Sequence, residues 1–170
     1  MKKFLILLLF FVSLTSFSQI LNPVKWEFGS EKISETEYEL IFVAKIDPHW
    51  SLYSQFVEEG GPLPTLFSFE PSTDFELIEA IVESEFNKVT QLDPVFEIVV
   101  SKYYDSAIFK QRVRVKSPGF TLNGNIDFMT CDDTKCTYKP DNPFAFQYAA
   151  ETRFSIVGGA PISESEISKN

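Results

Sequence analysis

Cysteine and histidine are scarce in this chain of 170 residues, which has two cysteines and a single histidine. A structural zinc site takes about four ligands, and His49 lies roughly 80 positions before Cys131 and Cys136. We therefore expect no metal centre and no other cofactor. The stretch "DPHW" around His49 is typical of a turn beside a strand rather than of a Cys–His catalytic pair. Two cysteines also exclude a small scaffold held together by many disulfides.

A long hydrophobic run is missing as well. The apolar segment at residues 4–12 is about half of the roughly 20 residues that a membrane-spanning helix requires. Two lysines precede it and small polar residues follow it, which is the three-part layout of a secretory signal peptide. We predict that residues 1–19 are a signal peptide, cleaved beside Gln19, and that the exported chain has no membrane span.

Basic residues are few, because 15 Lys and Arg stand against 24 Asp and Glu, a formal charge of −9. Removal of Lys2 and Lys3 with the signal peptide leaves 13 basic residues and a charge of −11. Nucleic acids and anionic membranes select basic surfaces, so this charge argues against both as partners. Acidity otherwise favours solubility, and we expect a monomer.

No segment has the pattern of a long amphipathic helix, and the sequence contains no internal repeat. Short runs of alternating apolar and polar residues are separated by Pro, Gly, Asp and Ser, which is typical of antiparallel strands. The 18 Phe, 6 Tyr and 2 Trp are ample for a hydrophobic core. Roughly seven to nine such strands predict an all-β fold, an immunoglobulin-like antiparallel β-sandwich, with a closed barrel as the alternative. We place this domain at residues 20–148 and expect a flexible polar tail at 149–170.

One segment, "FTLNGNIDFM", permits two interpretations. Asn123-Gly124 is normally a strong signal for a two-residue hairpin turn. Such a turn would pair apolar residues with polar ones across the hairpin, so that its two halves would bury opposite faces. As one continuous strand, the segment instead places its apolar side chains on a single face, and we favour this interpretation. Those side chains are Phe120, Leu122, Ile126 and Phe128.

Both cysteines lie in "FMTCDDTKCTYKP", where four residues separate them. An exported cysteine pair commonly forms a structural disulfide. A loop this short, however, gains only roughly 2 kcal/mol from a cross-link, and a partner thiolate can reach a sulfur in such a loop. Lys135 favours the thiolate of neighbouring Cys136. Asp132 and Asp133 oppose that of Cys131, and the residues alone leave a structural and a redox-active pair both open.

Four stretches of the chain resemble the N-terminal periplasmic domain of the thiol:disulfide interchange protein DsbD. The four stretches follow one another in the same order as in that family, and the resemblance as a whole covers residues 21–148. They are "HWSLYSQ" (49–55), "GPLPTLFSF" (61–69), "DPVFE" (93–97) and, most specifically, "FMTCDDTKC" (128–136). The resemblance implies an immunoglobulin-like sandwich in the periplasm whose cysteine pair carries electrons, as a component of a protein-disulfide reductase.

The resemblance also implies roles for individual residues. Cys131 and Cys136 would be the redox couple, and Cys136 would form the mixed disulfide with a partner protein. The family shields its cysteines with an aromatic cap loop, which here corresponds to "LDPVFE", with Phe96 over the sulfurs. Three further supporting residues are expected near the pair: Asp93, Glu97 and Tyr53.

Expected partners follow from the same resemblance. Family members accept electrons from a thioredoxin-like domain and pass them to periplasmic thioredoxin-like oxidoreductases. In family members, the N-terminal domain is followed by membrane helices and by the thioredoxin-like domain, and this sequence contains neither. We therefore expect a thioredoxin-like domain or a membrane electron donor in trans. The sequence alternatively suits a non-enzymatic immunoglobulin-like binding module with a structural disulfide or, less well, an acidic carrier of periplasmic client proteins.

Overall fold

The computed structural model describes residues 21–149 and 153–162, and these residues form twelve β-strands and no helix. Two sheets pack face to face as an immunoglobulin-like sandwich, so the predicted all-β class is confirmed. The predicted signal peptide lies outside the described residues, and within them no helix is available to cross a membrane. The strands are β1 (Val24–Lys32), β2 (Glu37–Ile46), β3 (Ser51–Tyr53), β4 (Leu66–Phe69), β5 (Phe75–Glu83), β6 (Lys88–Leu92), β7 (Val99–Tyr103), β8 (Ser106–Val115), β9 (Phe120–Cys131), β10 (Cys136–Ala149), β11 (Arg153–Gly158) and β12 (Ala160–Pro161).

The smaller sheet has five strands in the order β12-β1-β2-β8-β5. Along its strands, buried and exposed side chains alternate, as expected for a sheet with one face packed on a core. In β1, Val24 and Phe28 are buried and Trp26 packs against the same core, while Lys25 is exposed. The apolar face of this sheet therefore meets the larger sheet and forms the sandwich interior.

The larger sheet has seven strands. Six of them follow the order β11-β10-β9-β3-β7-β6, and β4 pairs with β9 next to β3. β9 pairs with β10 along one edge and with β3 and β4 along the other. Because β9 is held on both sides, it carries its last residue, Cys131, to a fixed place at the end of the sheet.

The segment that permitted two interpretations forms one continuous strand, β9, as predicted. Its four apolar side chains share the core face and are all buried: Phe120, Leu122, Ile126 and Phe128. Gly124 lies in the middle of the strand, where β4 and β10 approach from either side. A Cβ atom at this position would collide with the Ser68 carbonyl oxygen and the Phe144 ring. The glycine thus permits close strand packing here and does not form a turn.

The interior of the sandwich is predominantly aromatic. Phe42 is fully buried and meets five other rings edge-on, at centroid distances of 5.0–6.3 Å. Edge-to-face contacts are favourable because the positive rim of one ring meets the negative face of another. The five rings belong to Phe28, Phe67, Phe69, Phe144 and Phe146. The high phenylalanine content is therefore used to fill the space between the two sheets.

The end of the chain corrects one expectation. The flexible tail predicted for residues 149–170 is wrong for residues 153–162, which contain β11 and β12. β11 pairs with β10, and its Phe154 is buried against Tyr148 with ring centroids 4.9 Å apart. β12 pairs in parallel with β1. The alternation of Phe154 and Ile156 was a signal for β11, but the polar residues around it obscured the pattern.

Candidate functional site

The two cysteines occupy the end of the β9–β10 hairpin. β9 ends at Cys131, β10 begins at Cys136, and the two residues are direct partners across the hairpin. Their sulfur atoms form a disulfide, and their Cα atoms lie 4.0 Å apart. Cys131 is buried, with 6% of its surface exposed, whereas Cys136 is exposed. The bond therefore joins a protected cysteine to one that another protein can approach.

Asp132 shapes the four-residue loop between the cysteines. Its Oδ1 atom accepts hydrogen bonds from the Thr134 N–H and hydroxyl, both at 2.8 Å, and from the Lys135 N–H at 2.9 Å. These hydrogen bonds hold the pKa of Asp132 below its usual value, and the hydrogen bond from the Thr134 N–H has the largest effect. The carboxylate next to Cys131 is thus engaged in ordering the loop.

Cys131 lies on the outer face of the larger sheet, on the opposite side from the sandwich core. Every second residue of β9 up to Phe128 points into that core, and Cys131 belongs to the alternate set together with Met129. Cys131 packs in a small cluster with Tyr53 of β3 and Val100 of β7. The buried half of the disulfide therefore belongs to a small hydrophobic cluster that is separate from the sandwich core.

The loop at residues 93–98, which connects β6 to β7, covers this cluster, and we call it the cover loop. Phe96 and Ile98 pack against the cluster. The Phe96 ring meets the Tyr53 ring edge-on, with centroids 6.2 Å apart. The N–H of Asp93 donates a hydrogen bond to the Ile98 carbonyl at 2.8 Å, which closes the loop on itself. The cover loop therefore lies over the cluster that contains Cys131.

Asp93 fixes the cover loop from the inside and is only 1% exposed. Its Oδ1 atom accepts hydrogen bonds from the N–H groups of Val95 and Phe96, at 2.9 and 3.3 Å. Its Oδ2 atom accepts hydrogen bonds from the Tyr53 hydroxyl and the Lys102 ammonium group, both at 3.1 Å. All the oxygen atoms of this buried carboxylate are therefore paired, as burial of a charge requires.

These contacts determine the charge of each group. Burial raises the pKa of Asp93, but the hydrogen bonds from Val95, Lys102 and Phe96 outweigh it and hold the pKa below its usual value. Burial and the neighbouring Asp93 carboxylate raise the pKa of the Tyr53 hydroxyl. Asp93 is therefore an anion at neutral pH, and Tyr53 is a neutral hydrogen-bond donor to it.

A pocket of about 110 Å³ opens between the cover loop and the hairpin loop. Cys131, Asp93 and Lys102 line this pocket. The Asp93–Lys102 ion pair and the buried cysteine therefore face the same small space. The remaining titratable groups of its wall are His49, Tyr53, Tyr104, Asp132 and Asp133. Throughout the described part of the chain, no group of three or more His, Cys, Asp or Glu residues is placed to hold a metal ion.

The fold has known counterparts among solved structures. It is similar to the N-terminal periplasmic domain of ScsB from Proteus mirabilis, with a TM-score of 0.56 and 15% sequence identity. The two share a fold. The alignment covers 82% of this chain and 52% of the other, so the chain spans about half the length of the ScsB domain.

A second similar structure is the N-terminal domain of DsbD from Neisseria meningitidis in the reduced form, with a TM-score of 0.47 and 11% identity. That alignment covers 81% of this chain and 94% of the DsbD domain. The sequence matches no protein-family model and no curated protein. The similarity to the ScsB domain confirms the resemblance predicted from four short stretches as a resemblance of fold.

The structure brings most of the predicted site residues together. Tyr53, Asp93 and Phe96 are in mutual contact around the cluster that contains Cys131. Glu97 differs, because it is exposed, and its backbone N–H donates a hydrogen bond to the Asp93 carbonyl at 2.9 Å. Its backbone, rather than its side chain, thus takes part in the cover loop.

Sequence reasoning missed Lys102, which is 8% exposed and pairs with Asp93. A signal was present in "VVSKYY", where Lys102 shares one face of β7 with Val100. A lysine on the buried face of a strand requires an anionic partner. The position of that partner, nine residues earlier in a loop, follows only from the folded chain.

Proposed function

We propose that this protein is a periplasmic thiol–disulfide exchange protein that relays electrons through Cys131 and Cys136. The observation that carries the proposal is the asymmetry of the disulfide, with one cysteine buried under the cover loop and the other exposed on the hairpin. Exchange requires an approaching thiolate to reach one sulfur while the other leaves. The asymmetry supports Cys136 as the sulfur that a partner would contact.

The disulfide is poorly placed to serve as a structural staple. It links two residues that are already direct partners in a long hairpin, and it closes a loop of four residues. In the chain-entropy model, such a short loop contributes roughly 2 kcal/mol, against about 4.7 kcal/mol for a loop of 100 residues. The aromatic sandwich core is complete without this bond, which favours a role in exchange.

Reduction of the protein begins with a donor dithiol. One donor thiolate attacks Cys136 Sγ, the Cys131–Cys136 bond breaks, and Cys131 leaves as a thiolate while a mixed disulfide forms. The second donor thiol, as a thiolate, attacks the donor sulfur of that mixed disulfide and releases Cys136. The donor has then become a disulfide, and two electrons have passed to the cysteine pair.

Transfer to an acceptor reverses these roles. The Cys136 thiolate attacks a sulfur of the acceptor disulfide and forms a second mixed disulfide, releasing one acceptor thiolate. Cys131 loses its proton and attacks Cys136 Sγ, which releases the acceptor as a dithiol and restores the Cys131–Cys136 bond. Cys131 passes through the thiolate form in both half-reactions, although it never contacts a partner.

The supporting residues have distinct roles in this scheme. Phe96 limits access to Cys131 by lying over its cluster, Tyr53 provides the surface on which Phe96 packs, and Asp93 anchors the cover loop to β3 and β7. Glu97 contributes its backbone to the same loop. A donor in trans, a thioredoxin-like domain or a membrane protein, and thioredoxin-like acceptors in the periplasm are the partners that the scheme requires.

A redox titration against glutathione tests the proposal. Exchange predicts a midpoint potential above about −300 mV, since structural disulfides of exported proteins typically lie below that value. A lower midpoint would instead favour the non-enzymatic binding module with a structural disulfide. The titration needs only the oxidised protein and a quench by alkylation.

A trapping experiment tests the division of roles between the cysteines. Cys131→Ser should form a stable mixed disulfide with a thioredoxin-like oxidoreductase whose resolving cysteine is replaced by serine and whose remaining cysteine carries thionitrobenzoate as the leaving group, because neither protein then has a resolving thiol. Cys136→Ser is the matched control and should form at least about tenfold less of the mixed disulfide, since its remaining thiol, that of Cys131, is buried. Equal trapping by both variants would contradict the assignment of Cys136 as the attacking cysteine.

A further inference from the structure

We infer that the buried Asp93–Lys102 pair is an electrostatic positioning element that keeps the surroundings of Cys131 neutral and so sets the rate at which Cys131 leaves and attacks. The inference deepens the proposed function and rests on it, because it concerns the thiolate through which each half-reaction passes. It assigns to Lys102 a role in the chemistry of the cysteine pair that is separate from holding the cover loop.

The geometry of the pocket carries the inference. The side chains of Asp93 and Lys102 are 2% and 10% exposed, and their charged atoms lie 3.1 Å apart. Both side chains line the small pocket whose wall includes Cys131. Lys102 also belongs to the strand next to β3, where its Nζ atom lies 5.7 Å from the centroid of the Tyr53 ring. The ion pair is therefore held on the outer face of the sheet that carries the buried cysteine.

Charges in this wall act on a thiolate at Cys131 more strongly than surface charges would, because the side chains that carry them are buried. Interactions between charges grow as the effective dielectric constant falls, and salt screens buried charges less than exposed ones. A positive charge favours a nearby thiolate and a negative charge opposes it. The paired charges oppose one another, so removal of either one leaves Cys131 beside a single uncompensated charge of known sign.

The other titratable groups around the pocket do not replace either member of the pair. Asp132 is engaged by its own loop, Asp133 and His49 are exposed, and the half-buried Tyr104 hydroxyl accepts a hydrogen bond from Gln91. Tyr53 is held as a neutral donor by the adjacent carboxylate. Asp93 remains ionised at neutral pH, since its hydrogen bonds hold its pKa below the usual value. Lys102 is thus the buried cation of this wall.

Two nearly isosteric substitutions therefore have opposite expected effects. Asp93→Asn keeps an acceptor for the Val95 N–H and leaves Lys102 uncompensated, so it should speed reduction of the disulfide by dithiothreitol at pH 7. Lys102→Met leaves Asp93 uncompensated and should slow the same reaction. We expect a change of roughly threefold or more in each direction, and a rate close to wild type in the double variant.

The directions of the two rate changes distinguish this electrostatic role from a merely structural one. If the pair only anchored the cover loop, both single variants would loosen the loop and both would react faster. Two variants that change in the same direction would therefore overturn the inference. Lys110→Met, which removes a partly buried lysine paired with Glu39 on the other sheet, is the matched control and should react like the wild type.

Salt and pH distinguish local action from attraction of the anionic reductant. The rate differences should persist in about 0.5 M NaCl, where the Debye length is only a few ångströms; disappearance there would show long-range steering and overturn the inference. In a Cys136→Ser background, thiolate absorbance should rise at a lower pH with Asp93→Asn and at a higher pH with Lys102→Met. Unchanged or reversed titrations in variants that unfold cooperatively would also overturn it.

The two proposals fail in different ways. If wild-type protein has a midpoint below about −300 mV but the thiolate titrations still shift in opposite directions, the exchange function fails and the electrostatic effect remains. If wild-type protein exchanges with glutathione but the variants react alike, the exchange function stands and the role of the pair is wrong. Urea unfolding of each variant identifies any that is not folded.

Discussion

Lys135 lies over the indole ring of Trp50, with its Nζ atom 5.7 Å from the ring centroid. This contact connects the loop between the cysteines to the start of β3, where Ser51 pairs with Cys131. Trp50 is 9% exposed, packs in the sandwich core and directly precedes Ser51, so its backbone lies one residue from the partner of Cys131. The second tryptophan of the chain, Trp26, packs against the sandwich core on the other sheet.

Reduction of the disulfide should increase the fluorescence of Trp50, because a nearby disulfide quenches an excited indole. The measurement compares the Trp26→Phe variant, whose remaining tryptophan is Trp50, before and after dithiothreitol, with free thiols counted. Trp50→Phe is the matched control and should show constant emission. Unchanged emission from Trp26→Phe after both thiols have appeared would mean that Trp50 does not sense the bond.

The loop ordered by Asp132 should favour the oxidised state of the cysteine pair. Asp132→Ala removes three hydrogen-bond acceptor contacts, so the reduced loop would hold its two thiols together less often. A net loss of about 1 kcal/mol corresponds to a shift of about fivefold toward the dithiol in a glutathione titration. Asp133→Ala should have little effect, and an equal shift in that control would contradict the role of Asp132.

Gly124 should be intolerant of any side chain. Gly124→Ala places a Cβ atom against the Ser68 carbonyl and the Phe144 ring, both fixed by neighbouring strands, and should cost about 2–3 kcal/mol of unfolding free energy. Gly29→Ala is the control within another strand, because its Cβ would meet only the end of the Ile162 side chain at 2.9 Å. Urea denaturation should show a cost below about 1 kcal/mol there.

Stability should fall in acid partly through Asp93. Its folded-state pKa lies below its usual value of 3.8, so its contribution is present above pH 3.8 and is lost as the pH falls through the folded pKa. Urea denaturation from pH 6 to pH 2 should therefore show a smaller acid loss for Asp93→Asn than for wild type. Identical slopes for wild type and Asp93→Asn would disprove the contribution of Asp93.

The sequence was most informative where burial depends on alternation. β9 could be predicted because Phe120, Leu122, Ile126 and Phe128 share one face, and a turn at Gly124 would have divided them. The pairing of Cys131 with Cys136 was accessible because only two cysteines exist. Local patterns were sufficient for these features, since period-two alternation fixes which face of a strand is buried.

Features that depend on contacts between distant segments could not be derived in this way. Tyr53 and Asp93 are 40 positions apart, and their hydrogen bond exists because β3 and the cover loop meet beside β7. Phe154 was assigned to a tail because its neighbours are polar, although the edge of β10 offered it a partner strand. Strand order, rather than local composition, decides both cases.

Direct pairing of the two cysteines across β9 and β10 has a mechanical consequence. Backbone hydrogen bonds along the hairpin hold the two residues opposite one another whether or not their sulfurs are joined. Under the proposed function, gain and loss of electrons would then require only side-chain rotation within the loop. We therefore expect the sandwich to have the same shape in both redox states, so that a partner in the proposed exchange would have to distinguish them by the sulfur atoms themselves.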